Sequence, residues 1–173
     1  MKEYNDIYDI DRNLTGRVHL RGTRWKKGEY GLVACVWVHD GRGNILLTRR
    51  APEKTGAGTW ENSGGAVQAG EDSLQGVVRE LFEETGIRAK PDDFELLGSE
   101  LDGKTFFDHY CVKADVPLED IVLLPGETDD AQWADFETVR QMVKTRAIHP
   151  VIGKQFRKHE QELLARQSVQ EPH

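Results

Sequence analysis

Apolar residues recur along this chain with two different periods, and the switches between them mark out the elements. Leu32 to His39 is rich in Val and aromatic residues, the content of a strand. Asp40-Gly41-Arg42-Gly43 reads as a turn and Asn44 to Arg50 as the returning strand, which predicts a hairpin. Pro52, Gly56 and Gly58 interrupt the pattern, so residues 51–63 are expected to form a loop and Gly64 to Val67 a short strand. From Glu71 to Thr85 the period becomes helical: Leu74, Val77, Val78, Leu81 and Phe82 fall on one arc. Acidic residues crowd the expected first turn, as the helix dipole favours, and Gly86 stands where a C-terminal cap belongs. Strands are expected again near Phe94–Leu101, Thr105–Ala114 and Ala131–Phe136, and helices over Phe136–Arg146 and Val151–Arg166.

Strands and helices therefore mix without regular alternation, which favours an α/β (α+β) fold: a mixed β-sheet covered by helices. The 173 residues suit one domain with a sizeable core. Residues 1–29 are polar and read as an N-terminal extension packed on the domain, adding a strand or hairpin. Residues 30–166 form the domain, and residues 167–173 a disordered tail. The N-terminus has no apolar segment of the signal-peptide kind, and no apolar run approaches the roughly 20 residues of a membrane span, so the expected location is cytoplasmic. Cys35 and Cys111 sit in apolar runs and read as buried strand residues, neither a disulfide framework nor a zinc site.

Charge narrows the partners. The net charge of −7 disfavours a nucleic-acid polymer or an anionic membrane surface, but allows a small phosphorylated ligand held by local cations and metal ions. Such a site is legible on the predicted helix. Glu80, Glu83 and Glu84 are spaced by three and four residues, which sets three carboxylates side by side beyond what Arg79 alone neutralises. A lone triplet of this kind would read as a solvated acidic face. It equally suits magnesium, a hard ion that takes oxygen ligands and is held by carboxylates together with substrate phosphates.

The surroundings decide between the two. From Gly65 the chain runs GAVQAGEDSLQGVVRELFEETGI, which resembles the signature of the Nudix hydrolase superfamily at Gly65, Glu71, Arg79, Glu80, Leu81, Glu83, Glu84, Gly86 and Ile87. A chance match in a chain of average composition is on the order of one in a million. The resemblance implies a Nudix fold, a mixed sheet sandwiched between helices. It also implies a metal site in which Glu80, Glu83 and Glu84 are ligands for magnesium, with manganese as a substitute, and Gly65 offers its carbonyl. Arg79 would orient a glutamate, and Glu71 would be structural. The implied activity is hydrolysis of a diphosphate linkage in a small molecule, a nucleoside diphosphate derivative or another organic diphosphate. Metal ions would neutralise charge and acidify a water, while Glu83, Glu84 or Glu127 takes its proton.

A looser resemblance, through Thr15-Gly16-Arg17, Arg21-Gly22, Gly28-Glu29-Tyr30 and Leu46 to Lys54, points to the subgroup related to isopentenyl-diphosphate isomerase. It implies that Arg50 and Lys54 face the diphosphate, while strand alternation sends Arg49 to the other face. The isomerase relies on a cysteine just ahead of the signature, where this chain has Trp60-Glu61-Asn62-Ser63. Isomerisation is thus an alternative, as is a non-catalytic diphosphate- or nucleotide-binding module. The acidic stretch Gly126 to Asp130 offers Glu127, then Asp130, as a further ligand or base; His149 and His159 read as surface histidines. Homodimers are common among soluble proteins, and one is compatible with the chain.

Overall fold

The computed structural model describes residues 1–167. An N-terminal hairpin, β1 (Tyr4–Tyr8) and β2 (Leu14–Leu20), forms its own two-stranded sheet. Its turn is built by Asp9, whose carboxylate accepts the backbone N–H of Asp11 (3.0 Å) and Asn13 (2.8 Å). Arg12 there adopts a left-handed φ of 65°. The main sheet contains β3 (Gly31–His39), β4 (Asn44–Arg50), β5 (Trp60–Glu61), β6 (Ser63–Ala66), β7 (Phe94–Asp102), β8 (Thr105–Lys113) and β9 (Thr128–Asp135). Its spine runs β5-β4-β3-β8-β7, with β6 on β3 and β9 on β4. The β3–β8 pair is parallel and the others antiparallel, so the sheet is mixed, as the sequence predicts.

The expected β3–β4 hairpin closes only at its mouth, where His39 meets Ile45. Beyond that the strands splay. β3 buries side chains along nearly its whole length; β6 takes the edge over Val33–Val36 that a plain hairpin would give to β4. The backbone of β4 pairs instead with β9 from Asn44 to Arg50.

Helix α1 (Ser73–Thr85) starts two residues later than the periodicity suggests. Asp72 is the N-cap, accepting from Gln75 N while the Gln75 side chain accepts from Asp72 N, so Glu71 lies outside the helix and no acid occupies its first turn. Gly86 ends it with φ 74°. Helices α2 (Phe136–Lys144) and α3 (Pro150–Gln167) follow. Gln167 is thus the last residue of a helix rather than the first of a tail, and its Oε1 accepts from Gly43 N at 3.0 Å. The expectation for residues 168–173 lies outside the described residues.

Alternation along β3 and β4 divides the core in two. Leu32, Ala34, Val36, Val38 and Leu46 pack with Val77 and Leu81 of α1. On the other face Trp37, Ile45, Leu47 and Cys111 pack with Phe136, Val139, Phe156 and Leu163 of α2 and α3. Helices thus cover both faces. Both cysteines are buried and unpaired; burial pushes the Cys35 thiol up to about 12 and Cys111 to about 11, which leaves them inert at neutral pH. His159 is not on the surface: it is buried under α3, its ring 5.0 Å from that of His109 on β8. His149 is half-buried, and its N–H donates to Trp60 O at 2.9 Å. Among the described residues no helix is long and apolar enough to cross a membrane.

Candidate active site

Packing of α1 on the β3 face fixes where its acidic arc goes: Glu80 and Glu84 turn toward β6. At Gly64 backbone contact is so close that a side chain is excluded, and at Gly65 a side chain would displace a carboxylate. At Gly64, with φ 156°, a Cβ would sit 2.5 Å from Ala34 O. At Gly65 it would sit 2.6 Å from the carboxyl carbon of Glu80. The signature glycine therefore makes room for the carboxylate it faces.

Arg79 organises the acids. Its Nε and Nη2 donate to the two oxygens of Glu71 at 2.7 and 3.0 Å, and Nη2 also reaches Ala66 O at 3.1 Å. Its Nη1 donates to Glu80 at 2.8 Å and to Glu83 at 3.2 Å. Glu71 further accepts from Gln68 N at 3.0 Å, so it anchors Arg79 to the loop before α1. Burial pushes the Glu71 carboxyl up, but Arg79 and the Gln68 N–H outweigh it and hold the group below its ordinary range.

Glu84 is the buried member of the set. It accepts one hydrogen bond, from Gly64 N at 3.2 Å. Desolvation, reinforced by the charges of Glu80 and Glu61, pushes its carboxyl up to about 8. Glu80 is raised too, by burial, against the pull of Arg79.

Lys54, in the loop after β4, forms an ion pair with Glu127, which precedes β9. Lys54, Glu127, Arg79, Gly65, Glu80, Glu83 and Glu84 line one cavity of about 170 Å³, so residues 73 positions apart in sequence meet in one place. Arg50 does not line it: its Nη1 donates to Glu61 at 2.5 Å and its Nε to Thr55 O at 2.7 Å. Arg49 and Asp130 also stand apart, in a group where Arg49 Nε donates to Asp129 at 2.7 Å.

Among the described residues no group of three or more His, Cys, Asp or Glu is arranged to hold a metal ion. The expected triplet shares the cavity, but Arg79 draws Glu80 and Glu83 to itself, and Lys54 draws Glu127. The donor chemistry still fits a hard divalent cation. The donors are all oxygens, and among the described residues no cationic side chain is bonded to the buried Glu84 carboxylate.

The cavity also has walls that sequence reasoning missed: Glu3, Arg21 and Gln68. Glu61, close enough to raise Glu84, was missed as well. No local pattern marks them. Arg21 and Glu3 arrive through the β1–β2 hairpin, and Glu61 through its pairing with Thr48.

Known proteins resemble this chain in sequence and in fold. The NUDIX domain family matches residues 29–156. An uncharacterized Nudix hydrolase of Listeria monocytogenes is 31% identical over 147 residues, covering 82% of this chain and 85% of that protein. Nudix hydrolase 3 of Arabidopsis thaliana is 29% identical over 82% of this chain but only 20% of its own length. A MutT protein from Methanosarcina mazei superposes with a TM-score of 0.61 at 25% identity, covering 77% of this chain and 94% of that one. A crystallised protein of Deinococcus radiodurans superposes with a TM-score of 0.69 at 19% identity, covering 83% and 90%. That likeness is one of fold. The isomerase subgroup is not specifically matched.

Proposed function

We propose, for a chain that belongs to the Nudix hydrolase family, which of its residues carry out the family's cleavage of diphosphate linkages. Nudix enzymes hydrolyse such linkages in small molecules, and they generally need divalent metal ions. The observation that carries the assignment is the single cavity into which Glu80, Glu83, Glu84, Gly65, Lys54 and Glu127 all open.

Glu80, Glu83 and Glu84, with the Gly65 carbonyl, would hold the metal, with magnesium as the working ion and manganese as its substitute. Bound there, it supplies positive charge to the diphosphate and acidifies a water. Arg79 keeps Glu80 and Glu83 in place, and Glu71 keeps Arg79 in place. Lys54 holds phosphate oxygens as a point charge, and Arg50 supports the wall through Glu61. A carboxylate, Glu83, Glu84 or Glu127, would take a proton from the attacking water; Glu127 stands within hydrogen-bond reach of Lys54. The reading includes residues 1–29 as an extension of the domain, a cytoplasmic location and room for a homodimer.

The test is a phosphate-release screen against nucleoside di- and triphosphates, nucleotide sugars, ADP-ribose, coenzyme A and prenyl diphosphates. It is run with magnesium, manganese or EDTA, and with Glu83→Gln as control. Release that needs metal and is lost in the variant is the expected result. Release by Glu83→Gln at the wild-type rate would overturn the site assignment.

A further inference from the structure

Two buried histidines face each other on the side of the sheet away from the catalytic cavity. His109 on β8 lies two residues before Cys111, so alternation gives it the face that α2 and α3 cover, whereas α1 and its glutamates lie on the other. His159 is the residue of α3 that meets it. The ring centroids are 5.0 Å apart with planes at 44°, and the side chains of His109 and His159 are 0% and 3% exposed.

Each ring is held from outside by a carboxylate. His109 Nε2 lies 3.1 Å from Glu100, which also accepts from Lys158 at 2.8 Å. His159 Nδ1 lies 3.4 Å from Glu162. A carboxylate only accepts, so the nitrogen bonded to it carries the ring proton and the other nitrogen keeps its lone pair. Those other nitrogens, His109 Nδ1 and His159 Nε2, are buried and have no hydrogen-bond partner among the described residues. Gln155, one turn earlier on α3, likewise leaves a buried Oε1 without a partner. All three atoms are acceptors. None can satisfy another, and burying an unmet acceptor is costly.

We infer that His109 and His159 together bind a divalent transition-metal ion of the zinc class, which joins α3 to the sheet at a site separate from the catalytic cavity. The inference does not rest on the function proposed above. The ring spacing suits such an ion. A nitrogen about 2.0–2.1 Å from a tetrahedral zinc sets its ring centre about 3.2 Å from the ion, so two such rings stand about 5.2 Å apart. The observed separation is 5.0 Å. A carboxylate on the far nitrogen is the usual support of a metal-bound histidine, because it fixes the tautomer and strengthens the ring as a ligand. Imidazole suits zinc, copper and nickel, whereas magnesium takes oxygen ligands. Among the described residues no third His, Cys, Asp or Glu is arranged to join the pair, so the ion's remaining positions fall to Gln155 Oε1 and water.

The experiment titrates the full chain with cobalt(II), a coloured stand-in for zinc, and with zinc by calorimetry, in excess magnesium so that the catalytic carboxylates are already occupied. The wild type is expected to take up cobalt with the visible absorption of a tetrahedral site, and zinc to displace it. His159→Phe keeps a buried ring but no lone pair. It should weaken uptake by more than the roughly tenfold that loss of even an outer-shell partner costs, and zinc should raise the Tm of the wild type but not of this variant. Glu84→Gln should bind cobalt as the wild type does. Should His159→Phe fail to fold, ring-nitrogen NMR of the wild type carries the test: zinc should shift His109 Nδ1 and His159 Nε2. Equal uptake by the wild type and His159→Phe, uptake lost in Glu84→Gln, ring nitrogens unmoved by zinc, or no uptake in excess magnesium overturns the inference. In the last case buried water alone meets the three acceptors.

Discussion

Arg12 is the clamp that ties the N-terminal hairpin to the sheet, and removing it makes a quantitative prediction. Its two guanidinium nitrogens donate to both oxygens of Asp108 on β8, at 2.7 and 2.5 Å. Ser99 Oγ donates to the same carboxylate at 2.6 Å. The Asp108 side chain is 3% exposed and that of Arg12 33%. Removing one partner of a buried pair costs about 3–5 kcal/mol. Because water reaches a third of Arg12 and screens the pair, the cost falls to or below the lower end, and Arg12→Ala should cost about 2–3 kcal/mol. For a chain of this size that lowers Tm by about 4–12 °C. Burial pushes the Asp108 carboxyl up, but Arg12, Ser73 and Ser99 outweigh it and hold it below its ordinary range. A folded-state pKa below the unfolded value contributes stability above about pH 4 and loses it as pH falls through the folded value. The gap between wild type and Arg12→Ala in urea unfolding should therefore be full at pH 7 and narrow steadily below pH 4. Asp108→Asn added to Arg12→Ala should recover part of the loss, since no buried charge is then left unpaired. Arg12→Gly should cost about 1 kcal/mol less than Arg12→Ala, because φ is 65° there. A gap below about 0.5 kcal/mol at pH 7, the range of an ordinary surface substitution, or one equally large at low pH, would refute the clamp.

Gly65→Ala should leave stability nearly unchanged but cut kcat about a hundredfold, because its Cβ must displace a Glu80 carboxylate 2.6 Å away; steady-state kinetics beside a urea curve checks both. Lys54→Ala should raise KM about tenfold, with a smaller change in kcat, if its charge holds phosphate in ground and transition states alike. His109 is buried and held below its ordinary pKa by burial, with the nearby His159 adding to the effect. Its folded pKa lies below the unfolded one, so stability is full above about pH 6.5 and falls below it. Urea unfolding at pH 5.5 and 7.5 should show that fall, and His109→Asn should flatten it.

The amphipathic arc from Leu74 to Phe82 carries helix and site information together, because one set of spacings buries Val77 and Leu81 and so directs Glu80 and Glu84 toward β6. That is why the acidic set was legible from local sequence alone. The β3–β4 pairing was not, because which strand fills the edge of β3 is decided by β6, two loops away. Arg50 illustrates the same limit. Alternation assigns it a face, but its ion pair with Glu61 depends on β5, a strand of two residues that no periodicity announces. His159 misled for a different reason: its helix is polar enough to read as exposed, yet the sheet face under it buries the ring. The stack of Trp25 on His19 over Gly31 was equally illegible, because only the hairpin's docking brings the three together.

The most direct measurement is kcat/KM of Glu84→Gln on the substrate found by the phosphate-release screen, at saturating magnesium, with magnesium affinity measured on the same protein by calorimetry. Glu84 is buried against Gly64 N, and the amide keeps its shape, so the fold survives and only the charge is lost. The account predicts weaker magnesium binding and a fall of about 10²–10⁴ in kcat/KM, equivalent to the several kcal/mol of charge stabilisation that a bound metal supplies. Magnesium affinity and turnover both at the wild-type level would contradict it, and the catalytic carboxylates would then lie elsewhere.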